Sequence, residues 1–204
     1  MATRARATFA RMQDSTAADY EIIEDRRVEF LAGYSDRVLD ALRLLDEGTE
    51  GYAISRLEHS LQSATRATRD GRDDDYVAMC LLHDIGDTLA PRNHGELAAA
   101  ILKPYVSEQL TWITKHHPVF QLRYYGRHVG ADPDAREVHR GHEWFDDTVE
   151  FCELYDENCF DPDYDVLPLD EFAPIVREVM ARPIRGWRSP DLGRDENEGA
   201  NSSR

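Results

Sequence analysis

Long apolar runs are missing from this chain of 204 residues, and none is long enough to cross a membrane as a helix. Cysteine is scarce. Cys80, Cys152 and Cys159 make neither a disulfide framework nor a CxxC pair, and they read as reduced core residues of a cytoplasmic protein. Positive charge is short as well: 24 Lys and Arg face 40 Asp and Glu, a formal net charge of −16. Phosphate backbones would be repelled, which argues against nucleic acid as a partner. A small anionic substrate stays admissible, because it responds to the local field of its pocket. Convincing strand pairs, internal repeats and low-complexity core segments are lacking too, and nothing in the sequence fixes an oligomeric state.

What is present is helical. Apolar residues make up 41% of the chain, enough for one globular domain with a sizeable core. Asp19 to about Leu45 carries apolar residues at helical spacing, with an interruption near Gly33. Further helices are predicted over Ala53 to Arg69, Asp74 to Asp84, His94 to Leu102, Val106 to His117 (stopped by Pro118), His142 to Cys159 and Asp170 to Ala181. The predicted architecture is all-α, a single helical bundle over residues 19–185. Residues 1–18, with Arg4, Arg6 and Arg11 and no acid before Asp14, share a composition with targeting peptides but read as a frayed tail. Residues 186–204 read as a disordered polar tail.

His83 and Asp84 close the apolar run Tyr76 to Leu82. An imidazole and a carboxylate at the buried end of an apolar helix are costly to desolvate without partners, and a metal ion removes that cost. Inward-facing candidates elsewhere are His59, His94, His116, His117 and Asp156. Any one of them reads as a hydrogen-bonded core residue. His59, His83, Asp84, His94, His116 and Asp156 together are too many for one tetrahedral zinc and suit two ions of the iron or manganese type, with Asp84 between them. Adjacent helix positions diverge by about 100°, so His83 and Asp84 serve one cluster only at a helix end or if the carboxylate spans two ions.

His59, then His83-Asp84, then Asp156 resembles the H…HD…D signature of the HD-domain superfamily. Leu57-Glu58-His59-Ser60-Leu61-Gln62 and Leu81-Leu82-His83-Asp84-Ile85-Gly86 are similar to the small dinuclear-iron oxygenases of that superfamily, the phosphonate-cleaving and myo-inositol oxygenase-like branch. The resemblance covers about residues 51–183. It implies a single HD-domain bundle, with Ile113-Thr114-Lys115-His116 at the position of the fourth histidine, hence His116 rather than His117 as ligand. It further implies two irons as an Fe(II)/Fe(III) pair and cleavage, with O2, of a C–P or C–C bond next to a hydroxyl. The alternative within the superfamily is a phosphohydrolase using manganese or another divalent metal on a nucleotide or phosphomonoester.

Several positions depart from the phosphonate-cleaving pattern. Thr49 and Tyr52 stand ten and seven residues before His59, where those relatives carry a tyrosine and a glutamate. Asp87, Glu153 and Phe120 replace a histidine and two basic groups. Tyr52 is therefore a gate for the iron site or a ring facing a quaternary ammonium. Arg56, Asp87, Lys115, His117 and Arg123, with Arg127 behind them, are the remaining candidates for substrate contact. The segment from Phe120 to His128 mixes aromatic and basic residues and is either a pocket wall or a loop packed on the bundle. His139 and His142 read as surface histidines.

Overall fold

The structure, a computed structural model, describes residues 5–48 and 51–182. Eight α-helices and no strand occur among them, so the chain is all-α as its periodicity predicts. Thr49 and the tail 186–204 lie outside the described residues.

Residues up to Ala41 group as one compact unit and residues from Leu42 onward as another. In the first, α1 (Ala17–Ala32) starts at a capping box: the Thr16 hydroxyl accepts from the Asp19 N–H, and the Asp19 carboxylate accepts from the Thr16 N–H. The same carboxylate accepts the Thr8 N–H at 3.0 Å, and a 3-10 turn spans Met12–Asp14. The described part of the N-terminal segment is therefore hydrogen-bonded structure rather than a frayed tail. Gly33 separates α1 from α2 (Tyr34–Arg43), where the sequence places an interruption.

The larger unit holds α3 (Arg56–Arg69), α4 (Asp74–Leu82), α5 (His94–Leu102), α6 (Glu108–Val129), α7 (Phe145–Tyr155) and α8 (Leu169–Ala181). Helix α4 is its axis. Val77 to Leu82 are all buried, and α4 packs on α3, α8, α5 and α6. Helix α6 packs on α5 and α7, and α3 reaches α7. The sequence ends α6 at Pro118, but it runs eleven residues further, to Val129. A helix-interior proline removes one backbone hydrogen bond. The carbonyl it leaves free, that of Thr114, instead receives the His117 side chain at 2.7 Å. No described helix is long and apolar enough to cross a membrane.

Candidate metal centre

Four histidines converge where α3, α4, α5 and α6 meet, each held by its Nδ1. Helix α3 opens with a capping box between Ser55 and Glu58, and His59 follows one residue later, 1% exposed. Its Nδ1 lies 3.0 Å from the Cys159 carbonyl. His83 caps α4, and its Nδ1 lies 2.7 Å from the Cys80 carbonyl, one of the last-turn carbonyls with no intrahelical donor. His117 Nδ1 makes the matching bond to Thr114. A carbonyl only accepts, so in all three rings Nδ1 carries the proton and Nε2 offers a lone pair. His94, the first residue of α5, has Nδ1 3.0 Å from Asp87 Oδ1.

The four Nε2 atoms then face one another in two pairs. His59 and His83 meet at 3.1 Å, His94 and His117 at 3.3 Å. Opposed lone pairs at such distances require a cation or a shared proton between them. Asp84 lies between the pairs and divides its oxygens. Oδ1 is 3.1 Å from His117 Nε2 and 3.4 Å from His94 Nε2. Oδ2 is 3.4 Å from His59 Nε2 and 3.5 Å from His83 Nε2. Asp156, just past the end of α7, completes the His59 side, with Oδ1 3.3 Å from His59 Nε2. Its Oδ2 is buried without a hydrogen-bond partner. A buried carboxylate oxygen with no donor, beside four convergent imidazole nitrogens, has the donor chemistry of a metal centre. The residues fit two ions: His59, His83, Asp156 and Asp84 Oδ2 for one, and His94, His117 and Asp84 Oδ1 for the other.

The field agrees. Burial opposes ionisation of Asp84, yet His83, Arg56 and His117 hold its carboxyl well below the usual carboxylate range. Asp156 is likewise lowered, against its burial, by His59 and His83. Burial disfavours a charged His59, but Asp156 and Asp84 outweigh it and lift the ring to about 9. In the absence of a cation the site thus collects a proton.

Both conditions for adjacent His83 and Asp84 to share a cluster are met: the helix ends at Leu82, and the carboxylate spans two groups. Two glycines let the elements close. A Cβ on Gly86 would lie 2.6 Å from the His94 carbonyl oxygen, and one on Gly95 2.9 Å from that of Thr114.

One ligand position differs from the sequence assignment. His116 lies outside the cluster, its ring centroid 4.2 Å from that of Trp112 and 4.6 Å from that of His139. Burial, with His139 and Lys115 nearby, lowers its pKa to about 4. His117, 2% exposed, stands in its place. The distinguishing signal is in the sequence: Pro118 lacks the N–H for Thr114, three residues before His117, and that free carbonyl orients the His117 ring.

A cavity of about 320 Å³ opens onto the centre and is lined by Asp84, His94, His117 and Asp156. Tyr52 and Arg56, two of the predicted substrate contacts, also line it. Arg56 is already bound: its NH2 group donates to Asp84 Oδ2 at 2.7 Å, and its Nε to Asp87 Oδ2 at 2.7 Å. Asp87 thus supports Arg56 and His94 rather than the cavity. Lys115 and Arg123 point elsewhere, toward Glu96 and Asp134, and Arg127 is exposed. The continuation of α6 lines the cavity through Gln121, Tyr124 and Tyr125, while Phe120 packs fully buried in the core. His139 is half-buried and His142 stacks on Trp112 at 4.1 Å. Glu157 and Phe160 also line the cavity. They follow Asp156 in an irregular stretch, where no periodicity marks the inward face.

A profile of the HD domain family matches residues 56–184, more than half of the chain. The chain is also similar to a [1-hydroxy-2-(trimethylamino)ethyl]phosphonate dioxygenase (glycine-betaine-forming) of Leisingera caerulea, 31% identical over 101 residues, covering 44% of this chain and 48% of the relative. The alignment thus spans about half the length of that curated relative.

Proposed function

This chain belongs to the HD-domain family, and from that we propose that it is a dinuclear-iron oxygenase that uses O2 to cleave a C–P or C–C bond next to a hydroxyl in a small organic substrate. The observation that carries the reading is the division of Asp84 between two histidine pairs, with Asp156 Oδ2 still lacking a partner. In this reading His59, His83 and Asp156 would hold one ion and His94 and His117 the other, with Asp84 offering one carboxylate oxygen to each side. The bound pair supplies the activation of O2. Arg56 keeps the Asp84 carboxylate ionised and fixed through Oδ2. The Nδ1 bonds of the four histidines fix tautomer and ring orientation. Phe160 covers the His59 ring at 4.4 Å and keeps water from that side. The similarity to a phosphonate dioxygenase supports the same reading.

The competing chemistry is phosphohydrolysis with manganese or another divalent metal. A nucleotide or phosphomonoester is best held by unpaired cations around its phosphate. The cavity lining contains one cation, Arg56, and Asp84 and Asp87 already occupy it. The phosphonate of a C–P substrate is best held in the same way, so within the oxygenase reading the lining favours C–C cleavage. A cavity of about 320 Å³ is also at the small end for a bound organic molecule.

Metal analysis and spectroscopy of anaerobically prepared protein decide between them. Two irons per chain, an EPR signal of a coupled Fe(II)/Fe(III) pair and O2 uptake with a hydroxylated phosphonate or polyol support the oxygenase. Phosphatase turnover with manganese or nickel and no O2 uptake would sink it.

A further inference from the structure

Helix α6 carries a second group of imidazoles, outside the candidate metal centre. A 3-10 segment, Ala135–His139, packs against α6. It brings the His139 ring to the His116 ring, with centroids 4.6 Å apart and planes at 64°. Both rings are held by aromatic neighbours. The His116 centroid lies 4.2 Å from that of Trp112. His139 meets the Trp112 ring edge-on at 5.6 Å and lies nearly parallel to Phe120 at 6.1 Å. Among the described residues neither imidazole makes a hydrogen bond. The packing thus fixes where the rings stand and leaves their nitrogens unbonded to protein. Both side chains are half-buried, so an ion reaches them from solvent.

Packing alone gives no use to these nitrogens, one of which in each neutral ring carries a free lone pair. The arrangement is that of a chelating pair. With metal–nitrogen bonds of about 2 Å, two imidazoles on one ion place their ring centroids roughly 4.5–5 Å apart. The candidate centre supplies an internal standard. His59 and His83, whose Nε2 atoms meet at 3.1 Å, have centroids 5.1 Å apart and planes at 62°. His116 and His139 nearly reproduce that relationship. Imidazole suits zinc, copper and nickel, with water completing the coordination. His142 is not part of the pair: it stacks on Trp112 at 4.1 Å, and its Nδ1 accepts the Trp144 N–H at 3.3 Å. The chain's net charge of −16 draws cations toward the surface at long range.

We propose that His116 and His139 form a further metal site, distinct from the dinuclear centre, which takes one divalent ion of the zinc, copper or nickel type. Two protein ligands hold such an ion more weakly than three or four, so it comes away on mild chelation while the centre stays loaded. When occupied, the site ties the 3-10 segment to α6 beside His117. It does not rest on the oxygenase reading, since it needs neither iron nor turnover.

The test is titration of the full chain with Ni(II), after the centre has been loaded and excess metal removed, read by tryptophan fluorescence and elemental analysis. One further nickel per chain is expected, with partial quenching, because Trp112 packs against His116. His139→Ala and His116→Ala are each expected to weaken nickel binding by about tenfold or more, the lower end of what perturbing a metal site typically costs. His142→Ala is expected to leave it unchanged. No nickel uptake, or nickel that replaces the metals of the centre instead of adding to them, overturns the site. So does an unchanged affinity in His139→Ala, or equal weakening in all three variants, which would mark a diffuse charge effect. The metal content of the centre, measured in the same samples, reports that each variant is folded. Nickel uptake that depends on His116 and His139 in a chain whose centre takes up no metal pair supports this site and removes the dinuclear reading.

Discussion

His117 donates its Nδ1 proton to the carbonyl of Thr114 at 2.7 Å, one turn back on the same helix. In an unbroken helix that carbonyl would accept the N–H of residue 118, but residue 118 is proline and has none. A feature that looks like a helix stop thus provides a fixed acceptor for a metal-facing ring. His83 reaches the same arrangement by another route, since its acceptor, the Cys80 carbonyl, is freed by the end of α4.

Pro118→Ala should separate stability from metal binding. The new N–H competes for the Thr114 carbonyl, and the His117 ring loses part of its tether. Removing an orienting partner of a metal-bound histidine typically costs about ten- to a hundredfold in affinity. The helix itself gains, by up to about 3 kcal/mol where proline is replaced in an interior turn, less what is lost where Pro118 packs against Gly95. The expected result is a metal-free protein that melts higher and binds its second metal more weakly, read by thermal melts and a metal titration. A melting temperature and a second-metal affinity that fall together would show that Pro118 acts only in packing.

His116→Ala and His117→Ala should differ sharply. His117 Nε2 lies 3.1 Å from Asp84 Oδ1, whereas the His116 ring is spent on Trp112 and His139. His117→Ala is expected to drop the metal content from two to one per chain with little activity left. His116→Ala is expected to keep both metals and to cost about 1 kcal/mol of stability, an ordinary value for a point substitution. Elemental analysis of the two proteins checks this, and equal metal loss in both would return His116 to the centre.

The pH dependence of the metal-free protein follows from the same cluster. His59 is lifted from 6.5 to about 9 by Asp156 and Asp84 against its burial. Its folded-state value is raised, so its contribution to stability is complete below about 6.5 and fades as pH climbs through about 9. Asp156 is lowered, so its contribution is present above its ordinary value of 3.8 and fades as pH falls below that. Melting temperature without metal should therefore peak between about pH 4 and 6.5 and decline toward pH 9. Metal binding needs a neutral His59 ring and should release its proton, so the melting-temperature gap between loaded and metal-free protein should widen across that same rise. A gap that narrows from pH 6.5 to 9 would contradict the assignment of His59.

Where local chemistry decides structure, the sequence was readable. His94 to Leu102 was delimited to the residue, because Asn93 and Pro104 bracket an apolar run. His83, Asp84 and Asp156 stood out as polar residues embedded in apolar stripes, too costly to bury alone, whereas His59, on a more polar helix face, and His94 were drawn in by the HD-domain resemblance. The choice between His116 and His117 failed because both sit at the end of the stripe of Leu110 and Ile113, and the deciding acceptor is a carbonyl three residues back. Glu157 and Phe160 had no signal, since an irregular chain has no period from which to infer a face. Lys115 and Arg123 were drawn in by charge alone, and their partners Glu96 and Asp134 are visible only in three dimensions.

Gly86→Ala tests the closure that brings α5 onto the end of α4. A Cβ there would sit 2.6 Å from the His94 carbonyl oxygen and 2.8 Å from its Cα, both of them backbone atoms that no side-chain rotation can clear. The start of α5 must move outward, and His94 moves with it. His94 Nε2 lies 3.4 Å from Asp84 Oδ1 and 3.3 Å from His117 Nε2, so a small displacement takes one ligand away from one ion. The pair His59 and His83 is fixed by α3 and α4 and does not depend on this contact. The variant should therefore lose about 1–3 kcal/mol of stability, the usual cost of overpacking, and retain one metal per chain while losing the other. Metal analysis after mild chelation, alongside a denaturant melt, reads both quantities. Loss of both metals at once in a protein that is still folded would mean that the two histidine pairs do not bind independently, and that Asp84 alone does not set the boundary between them.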